Sequence, residues 1–202
     1  MAVQRNGLGD GYENDESNTL FDGNDAFLDY DADIPIHLRD LATAAQVGDV
    51  DALRRALDNL DGNVDEPVED GDTALHLTCL YGYLPCVQLL IERGADIEAK
   101  DEDGAIPLHD ACAGGFTEIV SALLNRADGE CVKRMLETVD SEGDTPLHHA
   151  ARGEHVDVIR LLLAAGASIT TTNLDGKTPS ELPDPDAEAK RILQSAEMGP
   201  LS

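Results

Sequence analysis

Three of the chain's six histidines, His76, His109 and His148, have side chains whose type could bind a metal ion or move a proton. Each closes a copy of one short string: GDTALH at Gly71 to His76, GAIPLH at Gly104 to His109 and GDTPLH at Gly143 to His148. The copies lie 33 and 39 residues apart, and GKTPSE at Gly176 to Glu181 follows after another 33. Side chains at one position of a repeat fall one per layer of a stack, so these three histidines cannot converge on a shared centre. His148-His149 and His155 are less regular, and no acidic or cysteine residue has ligand-like spacing to them. Cys79 and Cys112 are again 33 apart, Cys86 falls on the inward side of a second helix, and Cys131 sits in an insertion. Without CxxC spacing, buried free thiols and a reducing compartment are expected, not disulfides or a metal site. There is no nucleophile elbow, phosphate-binding glycine loop or zinc-ligand cluster. The expectation is therefore no enzyme, with no catalytic residues, no cofactor and no metal.

The elements that carry these residues follow from helix chemistry. Thr145-Pro146 and its equivalents start a helix, because proline has no N–H to leave unpaired at the first position and threonine can cap free donors. Leu75, Leu77 and Leu80 recur at helical spacing, and Val87, Leu89, Leu90 and Ile91 give a second helix its apolar side. Gly94 ends that helix, since a left-handed backbone costs glycine little. Neither helix can bury its face alone, so each unit must be sandwiched between neighbours. About six extra residues around Ala127 to Val132 in the third unit are expected to lengthen its second helix or its exit loop, protruding away from the hairpins.

A period near 33 with these linked positions resembles the ankyrin-repeat family, over about Leu38 to Leu193. GDTALHLTCLYGYLPCVQLLIERGADIEA fits nearly end to end, with Ala74 for the usual proline. GAIPLHDACAGGFTEIVSALL has Ile106 for threonine, and GDTPLHHAARGEHVDVIRLLLAAGASI has Gly153 one place early, leaving Glu154 at the glycine position. LATAAQVGDVDALRRAL is a divergent first repeat, and the small, acidic, soluble plant members are those it most resembles. The resemblance implies an all-α solenoid of helix-turn-helix units joined by β-hairpin loops. It places a repeat domain at 37–196, with repeats near 38–68, 69–101, 102–140 and 141–173 and a cap at 174–196, followed by a flexible 197–202; the glycine-, asparagine- and acid-rich composition of 1–36 makes that segment a disordered tail. The resemblance also gives the three histidines a hydrogen-bonding role tying neighbouring hairpins. Asparagine hydroxylation at the family's usual place is not expected, because Asp65, Glu98, Glu137 and Thr170 occupy it.

In such stacks the hairpin tips and the exposed side of the first helices form a concave binding face. By register that face carries Glu69, Asp70, Asp72, Leu80 and Tyr81, then Glu102, Asp103 and Ala105, then Ser141, Glu142, Asp144 and Arg152, then Asp175 and Lys177. Eight of the fourteen are acidic and two basic, whereas Arg54, Arg55, Arg93, Arg126, Lys133, Arg134, Arg160, Lys190 and Arg191 map to second helices or their ends. The formal net charge is -27, which disfavours nucleic acid and anionic membranes and favours basic protein partners. A monomeric interaction module or adaptor binding other proteins is expected, with an escort for a highly basic client as the alternative. The competing explanation is that acidic turn residues serve solubility alone. MAVQRNGLGDGYENDESN has no apolar core and no run reaches membrane-spanning length, so cytosol or nucleus is the expected location.

The first 36 residues hold nine acidic residues against Arg5 alone, with Tyr12, Phe21, Phe27 and Tyr30 among them, four of the seven aromatics. Two roles stay open for this segment: a peptide that docks on or shields a partner, or a tail whose last turn caps the first repeat. Pro35, Ile36 and Leu38 are then the covering residues over Ala44, Leu53 and Leu57.

Overall fold

The computed structural model describes residues 36–69 and 71–198, and the expectations for the 1–36 tail, Pro35 and Asp70 fall wholly or mostly outside them. After a short 3-10 turn at Ile36–Leu38 come α1 (Arg39–Val47) and α2 (Val50–Asp58), α3 (Ala74–Leu80) and α4 (Leu84–Glu92), and α5 (Pro107–Ala113), α6 (Thr117–Arg126) and α7 (Gly129–Glu137). Then follow α8 (Pro146–Arg152) and α9 (Val156–Ala164), a 3-10 turn at Pro179–Glu181, and α10 (Glu188–Glu197). The first helices α1, α3, α5 and α8 pack in one row that the 179–181 turn continues, and α2, α4, α6, α9 and α10 form the second. The chain is an all-α solenoid.

The starts and stops are those the residue types dictate. Thr73 and Thr145 stand in extended backbone at the N-caps of α3 and α8, and Pro107 and Pro146 occupy the first helical turn of α5 and α8. Gly94 follows α4 with φ 89°, as its lack of a Cβ allows. Glu154 holds the equivalent of a turn-glycine place with φ 55°, the one non-glycine at positive φ among the described residues. Its carboxylate accepts the Asp184 N–H at 2.9 Å, which offsets part of the backbone cost. Between the rows, Leu53, Leu75, Leu90, Leu108, Ile119, Leu123, Leu147 and Ile159 are buried in one continuous core. Cys79, Cys86 and Cys112 are buried free thiols within it, and Cys131 is partly buried.

The insertion departs from expectation. It neither lengthens α6 nor forms a loop but makes a separate helix, α7, because Ala127 and Asp128 are both extended and break the chain direction. The Asp128 carboxylate then accepts the Cys131 N–H at 2.8 Å and restarts the helix. Met135 and Leu136 bury the inner side of α7, and Arg134 grips the Glu98 carboxylate of the preceding unit with Nε at 3.0 Å and Nη2 at 2.7 Å. Lys133 and Arg134 thus lie on this third helix and not on a second helix. Asp128→Ala is expected to lower the stability of the fold by about 1 kcal/mol, read as a shift in the urea unfolding midpoint.

The cover over the first repeat is also narrower than expected. Leu38 is buried in the same core as Ala44 and Leu53, with Leu57 partly buried against it, whereas Ile36 is 84% exposed. The 3-10 turn points only one of the two apolar side chains inward, and His37 fixes it from outside through a 2.9 Å contact to Glu66.

Candidate functional site

Each inter-repeat turn is closed by the same backbone bond. Val68, Asp101, Asp140 and Asn173 donate their N–H to the carbonyls of Asp72, Ala105, Asp144 and Lys177, at 2.7 to 3.1 Å. Asp101, Asp140 and Asn173 add a side-chain oxygen that accepts the N–H four residues on. These turns hold their tips at fixed height beside the first helices, which makes the concave face a built surface and not a set of loose loops.

Glu102, Asp103, Ser141, Glu142, Asp175 and Lys177 are exposed on these tips. Glu69 is half-buried and accepts from Gln46 Nε2 at 2.9 Å, and Asp72 is half-buried. Leu80 and Tyr81, at the end of α3, are 42% and 49% exposed. Two residues read as surface contacts are not: Ala105 is buried, and so is Asp144. The Asp144 carboxylate is held by Arg152 Nη2 and by Asn173 Nδ2 at 2.8 Å, so the exposed Arg152 neutralises its own repeat. Arg152 Nη2 also reaches Glu142 at 3.8 Å.

The histidines act as clamps. Nδ1 of His76 accepts the Thr73 N–H at 3.2 Å, which leaves the proton on Nε2, 3.3 Å from the Ala105 carbonyl of the next repeat. His148 does the same with Thr145 and the Lys177 carbonyl, at 3.1 and 3.2 Å. His109 accepts from Ile106 at 3.1 Å, but its Nε2 approaches the Asp144 carbonyl without closing a hydrogen bond. Burial lowers the pKa of all three, that of His109 to about 4, so the neutral imidazole is the working form.

Spacing alone did not foresee which acids surround the histidines. Asp140, Asp144 and His149 come within ligand distance of one another, as do Asp72, His76 and Asp101. Hydrogen bonds explain the first group. Asp140 Oδ1 accepts the Glu142 and Asp144 N–H groups, and its Oδ2 lies 2.7 Å from His149 Nε2. Burial works to raise the Asp140 pKa, but these bonds outweigh it and hold the carboxyl below its ordinary value. In the second group both ring nitrogens of His76 are already spent on Thr73 and Ala105.

One repeat earlier the same position carries the opposite chemistry. Asp110 stands where the fourth repeat has His149, and Asp101 where it has Asp140. Asp110 Oδ2 is buried without a hydrogen-bond partner. Burial first, then the charges of Asp72 and Asp101, push its pKa up to about 8. Asp101, Asp110 and Asp140 escape attention confined to hairpin tips and helix ends, and the expectation that no acid pairs with His149 is overturned by Asp140, because the turn brings residues nine apart together. The signal that finds them is the register itself, in which the place after each repeat's histidine carries Leu77, then Asp110, then His149.

A family model of ankyrin repeats, in three copies, matches residues 41–130 and 126–173. With the turn-helix-helix units and histidine clamps just described, this shows that the chain belongs to the ankyrin-repeat family. No curated protein matches it. Among the described residues no helix is long and apolar enough to cross a membrane.

Proposed function

We propose that the protein is a non-enzymatic interaction module whose concave face captures a lysine- or arginine-rich segment of another protein. The observation that carries this is the row of exposed carboxylates on successive turn tips, Glu102, Asp103, Glu142 and Asp175, in a chain of net charge -27. Fields from like charges add over a surface of this kind and steer a basic partner toward it. The size of that charge also favours an escort for a highly basic client, with the nine acids of the first 36 residues adding to the total charge. A monomer working in the cytosol or nucleus fits the three buried free thiols.

The test is the affinity for a fluorescein-labelled oligolysine peptide at low and moderate salt. Glu69, Asp70, Asp72, Glu102, Asp103 and Glu142 are replaced together by their amides, and Asp144 is left intact because it is buried against Arg152. The variant is expected to bind about tenfold or more weakly at low salt, and the parent to lose affinity steeply as salt screens the face. Equal affinity of parent and variant at low salt would remove the proposal.

A further inference from the structure

The concave face is not uniform along the stack. In the fourth repeat Arg152 engages Asp144 and reaches Glu142 at 3.8 Å, and His149 hydrogen-bonds with Asp140. The register positions of Arg152 are Leu80 in the second repeat and Ala113 in the third, and that of His149 in the third is Asp110. So where the fourth repeat supplies Arg152 and His149, the second supplies an exposed apolar shelf and the third an extra acid.

The two features lie on neighbouring helices: Leu80 ends α3, Asp110 stands in α5, and α3 packs directly against α5. Tyr81 leans toward Tyr83, ring centroids 6.0 Å apart, and Val47 at the matching place of the first repeat is 63% exposed. Val47, Leu80 and Tyr81 thus present apolar surface on successive first helices, which interaxial packing sets about 8–10 Å apart. The fourth repeat offers only Arg152 and Gly153 at those two places.

We propose that the basic partner docks on the half of the concave face built by the first three repeats, seating an apolar side chain on Leu80 and Tyr81 and an ammonium or guanidinium at Asp101 and Asp110. In the fourth repeat Arg152 and His149 already engage Asp144 and Asp140, the acids beside its first helix. The partner's segment therefore alternates lysine or arginine with bulky apolar residues. This rests on the concave face being the binding surface and adds which part of it and which peptide. A cation at Asp110 also draws off the proton that burial and the charges of Asp72 and Asp101 otherwise keep on this carboxyl up to about pH 8. Affinity accordingly rises with pH up to about 8 and levels above it.

The test uses the full chain and two labelled probes, a short peptide of alternating lysine and leucine and one of alternating lysine and serine. The lysine-leucine peptide is expected to bind about tenfold tighter. Leu80→Ser and Tyr81→Ser, both at exposed sites, each remove most of that preference. Asp110→His, which copies the fourth repeat's arrangement with Asp101, weakens both peptides about tenfold, while Arg152→Ala leaves them within about twofold. If Asp110→His fails to fold, the two serine variants decide alone. Tight binding of both peptides that ignores Leu80 and Tyr81, or that falls with Arg152→Ala, would overturn this placement and leave the basic-partner proposal standing. Failure of the parent to bind either peptide at low salt would overturn both.

Discussion

Asp110→Asn is expected to raise the stability of the fold by about 1–3 kcal/mol at pH 8, the usual cost of a buried polar group without a partner, and to leave it almost unchanged near pH 4. The carboxyl has an ordinary value near 3.9 in an unfolded chain and is pushed up to about 8 in the fold by burial, Asp72 and Asp101. Between those values the folded protein binds a proton that the unfolded chain has released, so stability falls as pH rises through the interval. Asparagine keeps the shape, carries no charge, and offers an NH2 group toward the neighbouring carboxylates. Urea unfolding of parent and variant at the two pH values measures the effect. A variant equally or less stable at pH 8 would mean that Asp110 is satisfied in solution, and the charge reading of the third repeat would fail.

His76→Leu is expected to cost about 3 kcal/mol, and His109→Leu markedly less, although both rings are buried. Removing the His76 imidazole orphans the Thr73 N–H and hydroxyl on one side and the Ala105 carbonyl of the next repeat on the other. Removing that of His109 orphans the Ile106 N–H, while its Nε2 had no bond to lose. In a fold whose total stability is of order 5–15 kcal/mol, the first change alone brings visible unfolding at modest urea. Equal losses would show that His109 closes its bond to the Asp144 carbonyl. The lowered pKa of these clamps has its own sign. The unfolded chain takes up protons that the folded one refuses, so their contribution is lost as pH falls below about 6.5 toward 4.

Much of this was legible in the residues because it depends on local chemistry repeated in register. The helix starts at Thr73, Thr145 and Pro146, the stop at Gly94, and the displaced glycine at Glu154 are all one-residue effects of backbone preference. The interaction role of the family and the buried cysteines follow from the same period. What escaped depends on contacts between repeats. Asp144 looked like another turn acid until Arg152, eight residues on, and Asn173, from the next turn, were seen to close over it. Helix α7 hid because an insertion has no second copy to set its register, and its one local cue was Asp128 as a cap. Ile36 was assigned to the cover because apolar residues near an open end are expected inside, yet a 3-10 turn buries only Leu38.

The measurement to make first is an NMR titration of the labelled chain with the lysine-leucine peptide, following backbone amides. Capture on the concave face predicts shifts concentrated at Leu80, Tyr81, Asp101 and Asp110, with the fourth repeat near Arg152 little changed. Shifts confined to the outer row, α2, α4, α6 and α9, or no saturable shifts at low salt, would contradict it and leave the acidic face as a solubility device.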